Sequence, residues 1–237
     1  MTHRRDKKNS FLHSHEEPQV PQVINVQIDQ KIQEKNDQIA GRIRQKRQNF
    51  DIPMIDIMGS VGSGKTSILE YFSREFAKNQ KLLVINGDLA TDIDAQRISR
   101  FGSKCIQINT GRGCHLMAFQ IEKALDTIDL QKYDFIFVEN VGNLICPSST
   151  DVGADKKITI TSVTEGPYVF RKHPVTFRMS DLAVLNKIDL ALAMDIDIHE
   201  VMQGSRELYP QLEVVPTSTK TGEGMEVFAE KIGLSIN

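Results

Sequence analysis

Gly59-Ser60-Val61-Gly62-Ser63-Gly64-Lys65-Thr66 is the stretch on which the reading of this chain turns. Its spacing is G-x-x-x-x-G-K-[ST]. The apolar run Pro53–Met58 leads into it and a helical pattern over Lys65–Asn79 leads out. Gly59, Gly62 and Gly64 let the backbone curl without Cβ clashes and turn its N–H groups toward one anion. The helix that follows adds its positive N-terminal end. Lys65 is placed to neutralise the β- and γ-phosphates of a nucleoside triphosphate, and the Thr66 hydroxyl to coordinate Mg²⁺. Ser60, Val61, Ser63 and the adjoining Ser67 are read as further nucleotide contacts. The plainer reading is an ordinary glycine-rich turn, and a strand and a helix in register on either side argue against it.

Outward from this loop, apolar runs alternate with helical patterns. Strands are expected at Pro53–Met58, Lys81–Asn86, Lys104–Ile108, Asp134–Val138, Ile158–Val163, Asp181–Leu185 and Leu212–Val215. Several are nearly continuous apolar and β-branched runs, as in strands buried on both faces. Helices are expected at Lys65–Asn79, Asp92–Arg100, His115–Ile128, Asp197–Leu208 and Met225–Ile232. This alternation predicts an α/β fold of the P-loop NTPase kind, a mainly parallel sheet flanked by helices on both faces. An N-terminal helix is expected over Val26–Asn49, with Ile28, Ile32, Ile39 and Ile43 on one face. Its basic cluster, Arg42, Arg44, Lys46 and Arg47, reads as a solvated face. Residues 1–22 read as a flexible polar tail before a P-loop domain with an N-terminal helix over 23–237. His13 and His15 in that tail could touch one metal ion, but a solvated tail is the better reading. The segment Pro167–Phe177 carries no pattern that assigns it a role.

The composition narrows the function. The chain has 237 residues, 40% of them hydrophobic, enough for a core without staples. A formal net charge of −2 argues against a protein built to hold nucleic acid. No apolar run has the roughly 18 residues of a membrane span. The first residues lack the apolar stretch of a signal peptide. Three cysteines, Cys105, Cys114 and Cys146, suit a reducing compartment, so the cytoplasm is expected.

The base is read from Asn186-Lys187-Ile188-Asp189, directly after a late strand. N-K-x-D is the guanine reader of GTPases. The Asp189 carboxylate can accept two hydrogen bonds from guanine N1–H and its exocyclic amine; adenine has no such donor pair. Asn186 can reach the ring edge and Lys187 can lie over the base. Ser218-Thr219-Lys220, after the last strand, resembles a loop that supports guanine from the other side. Two acidic segments end strands between these motifs, where open α/β sheets bind ligands. Glu139 stands where a GTPase carries its Mg²⁺-linked acid, and Gly142 where a backbone N–H meets the γ-phosphate. Asp88 or Asp92 could orient the attacking water or hold a Mg²⁺-bound water. Asp92 reads equally well as a helix N-cap and Asp88 less well as a solvated loop acid.

Cys114 and His115 follow the glycine-rich loop Asn109–Gly113 at the expected start of a helix, which would help deprotonate the thiol. Cys146 follows the Glu139–Gly142 segment. Two thiolates and an imidazole suit Ni²⁺ or Zn²⁺. Three donors fall short of a four-ligand structural site, so either two chains pool ligands or a position stays open for release. Cys105, inside an apolar strand, reads as a packed core residue.

Six ordered segments resemble the HypB family: Gly59–Thr66, Gly87–Asp94, Gln107–His115 (QINTGRGCH), Glu139–Asp151 (ENVGNLICPSSTD), Ser162–Gly166 (SVTEG) and Asn186–Leu190 (NKIDL). The resemblance runs from about Val26 to the end. It implies a dimerising P-loop GTPase that binds GTP and GDP and inserts nickel during [NiFe]-hydrogenase maturation. It implies that Cys114, His115 and Cys146 bind nickel or zinc at an interface formed by GTP-driven homodimerisation. It also implies roles for Asp88 and Asp92 toward water and Mg²⁺, and as partners a nickel-accepting accessory protein and the hydrogenase large subunit. The N-terminal cysteine motif and long His-rich tract of some relatives are absent here. A urease-type maturation GTPase is the nearest alternative, but its Cys-Pro-His motif is replaced by Cys114-His115 and a separate Cys146. A regulatory GTPase switch without a metal role, or a metal store that does not need Lys65, are alternatives of other kinds.

Overall fold

The computed structural model describes residues 24–88, 93–111 and 113–234, without the side chains of 24–29 and 88. The expected tail 1–22 with its histidines, Asp92, and the side chains of Asp88 and Ile28 lie outside the described residues.

The strand that feeds the phosphate loop, β1 (Met54–Gly59), lies inside a seven-stranded sheet. The others are β2 (Leu82–Asp88), β3 (Lys104–Asn109), β4 (Phe135–Glu139), β5 (Lys156–Ser162), β6 (Leu182–Asn186) and β7 (Glu213–Pro216). Their order is β3-β2-β4-β1-β5-β6-β7, and every pairing is parallel. All seven expected strands form, and the sheet is wholly rather than mainly parallel. The helices are α1 (Ile24–Gln48), α2 (Lys65–Phe76), α3 (Ile93–Ser99), α4 (Ala118–Leu125), α5 (Val169–Lys172), α6 (Pro174–Arg178), α7 (Ile198–Leu208) and α8 (Met225–Ile232).

Alternate strand residues feed opposite faces. Ile55 and Ile57 of β1 join Phe72 of α2 and Phe228 of α8 in one core layer. Met54 of the same strand joins Ile43 of α1 and Ile121 of α4 on the other face. On that second face, β6 contributes Ala183 and Leu185 to a cluster with Phe170, Phe177 and Val201. Both faces are covered, which is why the strands read as continuous apolar runs.

α1 departs from its expected pattern. Ile39 and Ile43 are buried, but Ile32 is 53% exposed. The basic cluster is a solvated face only in part: Arg42, Arg44 and Lys46 reach solvent, and Arg47 does not. Arg42 pairs with Glu122, Arg44 with Asp151, Lys46 with Asp126, and Arg47 is buried. The Arg47 guanidinium donates to both oxygens of Asp155 and to the carbonyls of Ile52 and Gly153. Its partners satisfy the charge and so permit burial. Arg47→Ala is expected to cost about 2–3 kcal/mol in denaturant unfolding, below the figure for a wholly buried pair because Asp155 is 40% exposed. Burial works against the Asp155 carboxylate, but Arg47 and the Met54 N–H hold its pKa below the ordinary value. A depressed carboxyl stabilises the fold above its unfolded pKa and ceases to do so as pH falls through the folded one. The penalty of Arg47→Ala should therefore shrink in acid, below about pH 4.

Candidate functional site

The carboxyl ends of β1, β2, β4 and β6 converge on one edge of the sheet, as parallel order requires. A cleft of about 330 Å³ lies there, with Lys65, Thr66, Asn86, Asp94, Glu139, Gly142 and Lys187 in its wall. Gly64, with φ 101°, ends the loop and starts α2; a Cβ there would collide with the Asn186 amide. Gly142 is equally constrained, because a Cβ would fall on Val61.

Lys65 is 8% exposed, and its Nζ donates to the carbonyls of Gly59 and Ser60, each at 3.1 Å. Burial lowers its pKa, and the negative charge of Glu139 opposes that. The Thr66 hydroxyl donates to Glu139 Oε1 at 2.7 Å, and Asn86 Nδ2 donates to Oε2 at 2.8 Å. Burial pushes the Glu139 carboxyl up to about 7, while Lys65, Thr66 and Asn86 favour its charged form. A hydroxyl and a carboxylate oxygen in contact, beside Lys65, form a hard-oxygen donor set that fits Mg²⁺.

After β6, Asn186 Nδ2 donates to Ser63 O at 3.0 Å and Lys187 Nζ to Gly62 O at 2.6 Å. The Ser218 hydroxyl donates to Asp189 Oδ1 at 2.6 Å, and Thr217 Oγ1 to Asn186 Oδ1 at 3.2 Å. The loop after β7 therefore braces both residues through Thr217 and Ser218. Lys220 is exposed and Thr219 half-buried.

Cys114, His115 and Cys146 come together within a single chain, each donor atom within 4.8 Å of the others. Cys114 Sγ lies 3.3 Å from His115 Nδ1. His115 Nε2 lies 3.2 Å from Met117 Sδ, a soft donor that sequence reasoning left unassigned. The helix expected from His115 begins at Ala118 instead, and Met117 is extended. Cys114 is thus upstream of the helix end, without that help toward ionisation. Its thiol is raised, first by a hydrogen bond with Cys146, then by burial and the charge of Cys146. Burial lowers the His115 pKa and so favours the neutral imidazole that binds metals. Cys105 is half-buried against the core and pushed up to about 12, chiefly by burial. That is the behaviour of a packing residue.

Residues far apart in sequence hold the Cys146 turn. Lys157 Nζ donates to the carbonyls of Pro147, Ser148 and Thr150. The Thr176 hydroxyl donates to Leu144 O at 2.6 Å. Thr176 belongs to α6, inside the segment Pro167–Phe177 that the sequence left without a role. There α5 and α6 set Phe170 against Phe177 with ring centres 4.6 Å apart.

Residues 53–216 match the family described as "CobW/HypB/UreG, nucleotide-binding domain". The probable hydrogenase maturation factor HypB of Methanocaldococcus jannaschii is 38% identical over 201 residues, covering 85% of this chain and 91% of that protein. The hydrogenase maturation factor HypB of Azotobacter vinelandii is 39% identical over 208 residues, 88% of this chain and 69% of that protein. A crystal structure of HypB from Helicobacter pylori in complex with nickel superposes with a TM-score of 0.78 at 35% identity, covering 84% of this chain and 93% of that one. Among the described residues, no helix is long and apolar enough to cross a membrane.

Proposed function

The chain belongs to the HypB family of the CobW/HypB/UreG nucleotide-binding proteins, and from that premise we propose that it is a GTP-hydrolysing nickel carrier of [NiFe]-hydrogenase maturation. The observation that carries this reading is the Cys114–His115–Cys146 cluster, assembled within one chain. The segment that starts at Glu139 runs directly to Cys146 and so spans both sites.

In this reading, the backbone of Gly59–Thr66 and Ser67 cradles the phosphates. Lys65 neutralises charge that spreads over the phosphoryl oxygens in the transition state. Thr66 and Glu139, with Asp92, hold Mg²⁺, which neutralises the β- and γ-phosphate oxygens when bound. Gly142 gives its N–H to the γ-phosphate, and Asp88 or Asp92 orients the attacking water. Asn186, Lys187 and Asp189, with Ser218, Thr219 and Lys220 behind them, select guanine. Ni²⁺, or Zn²⁺ in its place, is cargo on Cys114, His115 and Cys146. GTP draws two copies together and changes the metal site through the Glu139–Cys146 segment, an order change of the usual GTPase type. A nickel-accepting accessory protein and the hydrogenase large subunit are the recipients, in the cytoplasm.

Cys146→Ala tests the cargo role. It should weaken Ni²⁺ binding by about 100-fold or more, beyond what loss of an outer-shell partner produces. The thiolate-to-nickel absorption should fade as well. Guanine-nucleotide affinity should stay at the wild-type value. Unchanged nickel affinity would instead point to a GTPase switch with incidental cysteines.

A further inference from the structure

Between the two sites stands Asn140, which follows Glu139 and is 1% exposed. Its Oδ1 accepts the Leu116 N–H at 2.9 Å and the Val141 N–H at 3.1 Å. Its Nδ2 donates to Asp56 Oδ1 at 3.2 Å. Both backbone partners of Oδ1 are donors, so the amide has one permitted orientation. Its main chain is anchored too, because its N–H donates to Ile57 O at 2.8 Å.

Each contact leads somewhere. Leu116 follows His115, so its N–H is one residue from one metal donor and two from another. Its side chain is fully buried and pressed on Gly87, where an added Cβ would lie 2.7 Å from it. The loop therefore cannot shift without disturbing β2. Val141 opens the path to Gly142 and Cys146. Asp56 is fully buried on β1, three residues before Gly59 where the phosphate loop begins, and its Oδ2 has no hydrogen-bond partner among the described residues. The cation acting most strongly on it is Lys157, whose ammonium clamps the Cys146 turn. Asp56 thus lies between the support of the Cys114–His115 loop and the support of the Cys146 turn. A buried polar chain of this kind transmits displacement because neither end can exchange its bonds for water.

We propose that Asn140, seated on Asp56, is the positioning residue that couples the nucleotide cleft to the Cys114–His115–Cys146 cluster. This rests on the nickel-carrier reading and deepens it. A rearrangement of Glu139–Gly142 around the γ-phosphate moves the Asn140 side chain, and the Leu116 N–H carries that movement to both donors of the upstream loop.

The test is a swap cycle in the full chain: Asn140→Ala, Asn140→Asp, Asp56→Asn and the double variant Asp56→Asn/Asn140→Asp. Ni²⁺ affinity is read from the thiolate-to-nickel absorption, at saturating non-hydrolysable GTP analogue and at saturating GDP. Wild type should differ between the two states by about fivefold or more, the ordinary scale of coupling between sites. Asn140→Ala should bring the two affinities within about twofold of each other. Asn140→Asp sets two carboxylates face to face and should do the same or fail to fold. The double variant restores one carboxylate and one amide at the contact, with acceptors for both backbone N–H groups, and should recover the wild-type ratio. If Asn140→Ala is too unstable to assay, the folded double variant decides: recovery supports the coupling role and a ratio near one overturns it. A wild-type ratio retained in Asn140→Ala overturns the role of Asn140 alone. Equal affinities in wild type would overturn the coupled-carrier reading itself.

Discussion

Lys65→Ala is expected to lower the turnover of GTP by about 10³-fold, because it removes the one cation that the phosphate loop itself provides. Among the described residues of the cleft wall, no other cation is free to substitute for it. Arg97, also in the cleft wall, is committed to Glu70 at 2.5 Å and Asp94 at 3.2 Å. Lys187 is spent on Gly62 O. Lys65 itself is held over the loop by two backbone carbonyls and is largely desolvated, so its charge acts in a low-dielectric setting. Single-turnover phosphate release measures the loss. Nickel uptake by the nucleotide-free variant should persist, because the three donors do not depend on Lys65. A variant with wild-type turnover would remove Lys65 from the chemistry.

Asp189→Asn should change which base is accepted. In the proposed base contact the carboxylate accepts two hydrogen bonds from guanine, each worth about 1.5–3 kcal/mol when the acceptor is charged. The introduced amide keeps one acceptor and sets an N–H₂ against the other guanine donor, so one bond is lost and one contact turns repulsive, a fall in GTP affinity of about 10–10²-fold or more. Xanthosine triphosphate carries a carbonyl where guanine has its amine, so the introduced amide should favour it. The position suits a rigid reader. Ser218 fixes Oδ1, and the Ile188 N–H is bonded to Thr217 O at 3.1 Å. Displacement of a fluorescent guanine nucleotide by each competitor reads the ranking. An unaltered preference for GTP would remove Asp189 from base selection.

How much of this was legible in the sequence depended on the range of the interaction. The inner strands β1, β2, β4, β5 and β6 were readable because burial on both faces writes an apolar run locally. The loop Gly59–Thr66 was readable because its glycines and Lys65 sit at a fixed spacing between a strand and a helix. The grouping of Cys114, His115 and Cys146 was readable because both segments follow strands of one parallel sheet and so leave it at the same edge. Arg47 was misread because Asp155, the partner that permits its burial, is 108 residues away. The start of α4 was misplaced because the Leu116 N–H is claimed by Asn140, 24 residues on, which keeps the chain extended. α5 and α6 are four and five residues long, too short for a helical period to declare itself, and His173 and Pro174 divide them. Lys157 and Thr176 support the Cys146 turn through backbone carbonyls, which leave no mark on residue type.

One titration bears on the whole picture: Ni²⁺ added to the wild-type chain on a sizing column, once with a non-hydrolysable GTP analogue and Mg²⁺, once with GDP. The carrier reading predicts a dimer with the analogue and nickel affinities that differ between the two states by about fivefold or more. The same nickel affinity and the same size in both states would contradict it.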